Sequence, residues 1–195
     1  MNRTTLTPCP WAGQTPLYQS YHDQEWGVPV HDDQKLFEFI LLEGAQAGLS
    51  WSTILNKREA YRHAFDNFDV HKVARYGVRK KQSLLENQGI VRNRLKIESA
   101  VGNAVAFIKI QEEFGSFDKW LWRYVEGTPI TNRFETMDQI LPTTAVSDSL
   151  SGDLKKRGFK FVGSTIMYAF MQAVGMVNDH LVSCPRHGQI AGGNK

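Results

Sequence analysis

Apolar residues return at three- and four-residue intervals along most of the chain, the spacing of helices that bury one face. Leu36, Phe37, Ile40, Leu41 and Ala45 predict a helix that Asp33 can cap. Gly48-Leu49-Ser50 interrupts it, and Trp51 opens a second helix with Ile54, Leu55 and Phe65 as its apolar members. Asp69 is expected to cap a short helix ended by Gly77, followed by one that carries Leu84 and Leu85 and ends at Gly89. Leu95 to Phe114 predicts a long helix closed by Gly115. Phe117, Trp120, Leu121 and Tyr124 predict another, stopped at Gly127. Residues 127–143, with Pro129 and Pro142, read as an extended connection. Two more helices are expected over about 147–157 and 164–176, with Gly158 and Gly163 between them. No run of alternating strands is visible. The fold class is therefore all-α, with a small irregular N-terminal region and a frayed tail over 188–195.

The 195 residues suffice for one well-buried core, or two small lobes sharing one, and not for two ordinary independent domains. The longest apolar runs, Phe39–Leu42 and Ala104–Ile108, are far below the roughly 18 residues of a membrane span. Met1-Asn2-Arg3-Thr4-Thr5 lacks the apolar core of a signal peptide, so a cytoplasmic protein is expected. The balance of 23 basic against 20 acidic residues names no partner, but its distribution is uneven. Arg79, Lys80, Lys81, Arg92, Arg94 and Lys96 are opposed only by Glu86, and Lys155, Lys156, Arg157 and Lys160 form a second cluster. Two such patches suit a polyanion bound on one face. The ordinary alternative is a pair of solvated helix ends.

Three groups of side chains carry candidate chemistry. Cys9 and His22 lie thirteen positions apart, and His180 and Cys184 four apart, a spacing that puts both on one face if that segment is helical. Together they make the Cys2His2 donor set of a closed structural zinc; the alternative is two unrelated thiols. Neither the HExxH motif nor the H-x-E and P-C-x-x-C signature of nucleobase deaminases is present. Trp11, Tyr18, Tyr21 and Trp26 crowd into sixteen residues, with Trp51 further on, and their faces suit either a nucleobase or a core. Glu43 follows Phe39-Ile40-Leu41-Leu42 and has Ile40 and Ala47 as helical neighbours. A carboxylate there is either buried with partners or exposed to a pocket, because isolated burial is too costly.

Four strings resemble one family. They are Pro16-Leu17-Tyr18-Gln19-Ser20-Tyr21-His22-Asp23-Gln24-Glu25-Trp26-Gly27-Val28-Pro29 and Leu42-Glu43-Gly44-Ala45-Gln46-Ala47-Gly48-Leu49-Ser50-Trp51. Further on come Lys155-Lys156-Arg157-Gly158-Phe159-Lys160-Phe161-Val162-Gly163, then Val177-Asn178-Asp179-His180 with Cys184. In order, and from about Cys9 to Cys184, they are similar to the bacterial 3-methyladenine DNA glycosylase I family. The resemblance implies a helix-hairpin-helix DNA glycosylase fold, with two helical lobes and the base pocket between them. It implies one structural zinc per chain on Cys9, His22, His180 and Cys184, joining a segment of about 9–30 to one of about 164–186 within a single unit. The hairpin region would span about 69–115, its turn at Gln88-Gly89-Ile90-Val91-Arg92. Glu43 would recognise the base with Tyr21 as a hydrogen-bonding partner, and Trp11, Tyr18, Trp26 and Trp51 would wall the pocket. Leu49 would fill the gap left by the flipped nucleotide, and Gly89, Ile90, Arg92, Arg94 and Lys96 would hold DNA. The turn departs from the glycine-richer superfamily pattern, and no catalytic Asp is assigned.

The resemblance then implies a monofunctional glycosylase that flips 3-methyladenine out of alkylated double-stranded DNA and hydrolyses its N-glycosidic bond, with the free base as product. A monomer without membrane association is expected. A non-catalytic zinc-stabilised DNA-binding module and a zinc-dependent hydrolase are the competing classes.

Overall fold

The computed structural model describes residues 7–13 and 15–192. Ten α-helices run through the described residues: α1 (Pro16–Gln24), α2 (Asp33–Gln46), α3 (Trp51–Ala64), α4 (Val70–Val73), α5 (Val78–Glu86), α6 (Arg94–Phe114), α7 (Phe117–Leu121), α8 (Ala145–Lys156), α9 (Ser164–Ala173) and α10 (Pro185–Ala191). Short 3-10 turns follow α3 and α7 and punctuate the connection before α8.

Helix α2 is the axis of the core. Every residue from Leu36 to Ala45 on it is buried, since α3, α6, α7 and α9 all pack around it. The Phe37 ring meets Phe107 of α6 at 5.4 Å, and Phe107 stacks on Phe117 of α7 at 4.1 Å. A side chain of this kind, fully buried, contributes ~1.5–3 kcal/mol. Two carboxylates interrupt this apolar helix. Glu38 receives Arg58, Arg62 and Lys35 and is an internal ion-pair hub. Glu43 has no ion-pair partner among the described residues, and its Oε2 is buried without a hydrogen bond.

Several expectations are corrected. Asp32 caps α2 by accepting from the Lys35 amide, while Asp33 reaches across the core to accept from the Phe117 and Asp118 amides and the Gln111 amide group. The short helix after Asp69 ends at Val73, and Gly77 instead precedes α5. Residues 7–13 are irregular as expected, but the segment after them is a helix: Thr15 caps α1, Pro16 occupies its first turn, and Tyr18 and Tyr21 lie on it, with Trp11 before it and Trp26 after it. The expected tail is helical through Ala191 as α10, and residues 193–195 lie outside the described residues. A two-residue parallel pairing also forms, with β1 (Ile130–Thr131) against β2 (Val177–Asn178), Ile130 opposite Val177.

The two ends of the chain are sewn together. The Gly27 amide donates to Gln172 O, the Val30 amide to Val174 O and the Thr7 amide to Ser183 O. Gly175 makes this possible. Its φ is +71°, and a Cβ there would lie 2.3 Å from the Val28 carbonyl carbon.

Candidate functional site

A hollow of about 370 Å³ opens between α1, α2, the start of α3, α9 and the connection before α8. It is lined by Trp11, Tyr18, Tyr21, Trp26, Glu43 and Trp51, the side chains singled out in the sequence, together with Gln46, Tyr168 and Gln172. The rings brace one another edge-on: Trp11 meets Tyr18 at 5.4 Å and 79°, and Trp26 at 4.9 Å and 77°. Tyr21 and Trp51 lie 5.3 Å apart.

Two polar atoms on this wall are buried without a partner among the described residues, Glu43 Oε2 and Trp51 Nε1. An acceptor and a donor left open beside aromatic faces are the complement of a planar heterocycle with its own donor and acceptor edge. Burial pushes the Glu43 carboxyl up to about 8. Burial, and secondly the Glu43 charge, also raise the phenols of Tyr18 and Tyr21. The hollow therefore resists negative charge and would gain from a cation. No direct hydrogen bond joins Tyr21 to Glu43; each faces the hollow separately.

A larger hollow of about 570 Å³ lies behind Tyr21, but its charged lining is already satisfied. Arg58 donates from both terminal nitrogens to Glu25, at 2.9 and 2.8 Å, and from Nε to Glu38 at 2.6 Å. Among the described residues, none of its buried side-chain polar atoms lacks a partner.

Tyr168 and Gln172 had no signal of their own in the sequence. Both donate to Asp179 Oδ2, at 2.6 and 2.8 Å, while Asn132 donates to Oδ1 at 2.7 Å. Asp179 sits inside the string that precedes Cys184, and its buried carboxylate orients this side of the wall.

Cys9, His22, His180 and Cys184 converge at the back of the aromatic wall, all buried, with their ligand atoms within 4.8 Å of one another. His180 and Cys184 meet through a turn after β2 rather than on a helix, Cys184 being the residue before α10. The Sγ to ring-nitrogen separations are 3.7 Å for Cys9–His180, and 3.6 Å for both Cys184–His180 and Cys184–His22. Ligand bonds of about 2.3 Å to sulfur and 2.0 Å to nitrogen at a tetrahedral angle demand roughly 3.5 Å. The outward nitrogens are held as metal ligands require: His180 Nε2 donates to Trp26 O at 3.0 Å, and His22 Nδ1 to Asp23 Oδ1 at 2.7 Å. Burial lowers His180 to about 4 and raises the Cys9 thiol to about 12, so the latter needs a cation to ionise. The donor set fits a divalent metal ion.

Leu49 is 43% exposed in the loop between α2 and α3, on the rim of a shallow hollow that Glu43 and Gln46 share with the aromatic one. The turn between α5 and α6 is pinned from α3, where Lys57 donates to Gln88 O and Gly89 O and the Tyr61 hydroxyl accepts from the Val91 amide. Gly89 packs against Ala60, where a Cβ would come within 2.8 Å of the Ala60 Cβ. Arg92 and Arg94 are exposed and form no ion pair among the described residues. Two expected DNA contacts are placed differently. The Ile90 side chain is buried, an anchor for the turn. The Lys96 ammonium donates to Ala45 O and Ala47 O, so it is spent on the end of α2. The second basic cluster is half consumed, Arg157 by Glu113 and Lys156 by Asp153.

A model of the family described as methyladenine glycosylase matches residues 11–187. The chain is 50% identical over 176 residues to DNA-3-methyladenine glycosylase 1 of Escherichia coli (strain K12), spanning 90% of this chain and 94% of that one. A crystal structure of a 3-methyladenine DNA glycosylase I superposes with a TM-score of 0.89 at 49% identity, covering 92% of this chain and 98% of that chain. A structure addressing 3-methyladenine recognition by the Staphylococcus aureus glycosylase I gives 0.89 at 39% identity, covering 93% and 96%.

Proposed function

The chain belongs to the methyladenine glycosylase family, and we propose that it excises 3-methyladenine from alkylated double-stranded DNA. The observation that carries this reading to the residues is the pair of unpartnered buried atoms, Glu43 Oε2 and Trp51 Nε1, in an aromatic hollow.

Methylation at N3 gives the base a delocalised positive charge. The C1′–N9 bond then breaks with its electron pair going to the purine, which leaves neutral, while water supplies hydroxide to C1′ and releases a proton. Extrusion of the base costs a few kcal/mol, offset by stacking on Trp11, Tyr18, Trp26 and Trp51 and by polar contacts. Indole and phenol faces favour the cation over a neutral purine by ~0.5–2 kcal/mol per contact. Glu43, with Tyr21 beside it, accepts from the purine edge and favours the same charge. Because the reaction removes that charge from the base, Glu43 acts chiefly in capture and selection. No lysine is assigned as a nucleophile, so a monofunctional glycosylase follows.

Leu49 fills the space the base vacates, and Gly89, Arg92 and Arg94 hold the phosphates in a helix-hairpin-helix manner, with α5 and α6 as the two helices. Cys9, His22, His180 and Cys184 would hold one zinc ion, which would tie the N- and C-terminal segments together in a structural role and supply no step of the reaction. One glycosylase unit, acting as a cytoplasmic monomer, completes the reading; no helix among the described residues is long and apolar enough to cross a membrane.

The test is incubation with methylated duplex DNA, with and without chelator, and chromatography of the freed bases. Release of 3-methyladenine in both arms is expected. DNA binding without release would make the protein a non-catalytic module, and immediate loss on chelation a zinc-dependent hydrolase.

A further inference from the structure

Lys96 stands on the first turn of α6, three residues after the N-cap Asn93, yet its ammonium lies on another helix. Nζ donates to Ala45 O at 2.8 Å and to Ala47 O at 2.7 Å. These carbonyls belong to the end of α2, where helical carbonyls have no partner within the helix. Helix α2 has no basic residue of its own in its last turn, so the cation facing the negative end of its dipole comes from α6. Burial lowers the Lys96 pKa, as befits an ammonium taken partly out of water for this contact.

The contact joins two pieces of the machinery. On one side is the loop 47–50, whose Leu49 is exposed and which is otherwise held by the Leu49 amide on Gln46 O and by the Ser50 cap of α3. On the other is the turn that leads through Arg92 and Asn93 into α6. We propose that Lys96 is a positioning residue for base flipping: it holds Leu49 at a fixed offset from Arg92 and Arg94, so that gripping the backbone and entering the duplex are one event. An untethered loop would lose its freedom only on insertion, and that loss would weaken flipping. This inference rests on Leu49 being the residue that fills the gap.

Lys96→Met removes the charge and both hydrogen bonds at similar length, and Lys96→Arg restores a cationic donor. Single-turnover release of 3-methyladenine from methylated duplex is expected to slow roughly ten- to fiftyfold in Lys96→Met and to recover in Lys96→Arg. Release from methylated single strands, which leave no gap, is expected to change less than threefold. Quenching of tryptophan fluorescence by free 3-methyladenine, and the salt slope of undamaged duplex binding, are expected to stay as in the parent. If Lys96 acts through Leu49, the double variant Lys96→Met, Leu49→Ala is no slower than Leu49→Ala alone. Beyond a normal rate in Lys96→Met, four outcomes overturn the proposal: multiplicative losses in the double variant, a salt slope flattened by about 0.9 as for a phosphate contact, equal loss on single strands, or weakened binding of the free base. Should Leu49→Ala itself act on duplex like the parent, the gap-filling role fails. Should Leu49→Ala be slow and Lys96→Met be normal, only the tether fails.

Discussion

Glu43→Gln separates what the carboxylate does for the reaction from what it does to the fold. Burial holds the Glu43 carboxyl at about 8 against an ordinary value of 4.5. The folded protein therefore binds a proton that the unfolded chain releases between those two values, and stability falls as pH rises from 4.5 to 8. The full difference is worth about 5 kcal/mol at ~1.36 kcal/mol per pH unit, a ceiling that solvent entering the hollow reduces. Glutamine keeps the volume and the polar atoms of the neutral acid but never ionises. At pH 5 parent and variant are expected to melt within about 2 °C, and at pH 8.5 the variant roughly 5–10 °C higher. The Cys/His cluster is common to both proteins, so its own titration cancels in the difference. Excision moves the other way. With the Glu43 carboxyl at about 8, about one in ten would be ionised at pH 7, so kcat/KM on methylated duplex should rise about tenfold from pH 7 to a plateau near 9. The variant should be flat with pH and, on the plateau, roughly ten- to hundredfold lower for want of a charge-assisted hydrogen bond. Differential scanning calorimetry and initial rates across pH 5–9 measure both. A variant that is less stable at pH 8.5, or whose rate retains the parent's pH profile, would refute the assignment of an isolated buried charge.

Cys184→Ala should lower metal content and melting temperature together, by roughly 10 °C, as read by elemental analysis and calorimetry on one sample. Arg92→Ala and Arg94→Ala should each weaken every duplex alike and take about 0.9 from the slope of log K against log salt, measured by fluorescence anisotropy, with the order of excised bases unchanged. Gly175→Ala should destabilise by more than about 2 kcal/mol in chemical denaturation, because the new Cβ meets the Val28 backbone and the φ of +71° is strained for any other residue.

The helices that could be read from the sequence were those with an apolar stripe and a punctuating residue: α2, α3 after Ser50, α5, α6 closed by Gly115, α7, α8 and α9. Helix α1 escaped because only Tyr21 and His22 of its nine residues are buried, so it has no stripe to read. Helix α10 escaped because its composition is that of a tail, and what holds it is tertiary: Asn178 donates to His187 O, and the His187 ring donates to Asn132 O. Asp32 and Asp33 are adjacent and chemically alike. Only the approach of α7 decides which of them caps α2 and which reaches across to Phe117 and Asp118.

The same division runs through the site. Glu43 was legible because a carboxylate inside an apolar helical stripe is anomalous at any register. The four side chains of the Cys/His cluster were legible as a set, since Cys and His are few and their chemistry narrow, although a turn rather than a helix unites His180 and Cys184. The basic residues were legible only as a sum. Charge counts capacity without saying whether an acceptor is already at hand, and for Lys96 the acceptors lie 51 and 49 residues earlier, at the end of another helix. Arg157 and Lys156 meet carboxylates in the same way, while Arg92 and Arg94 meet none among the described residues. The cations left for DNA are therefore those that the fold failed to use, and finding them required the packing of α2 against α6, which no run of the sequence specifies by itself.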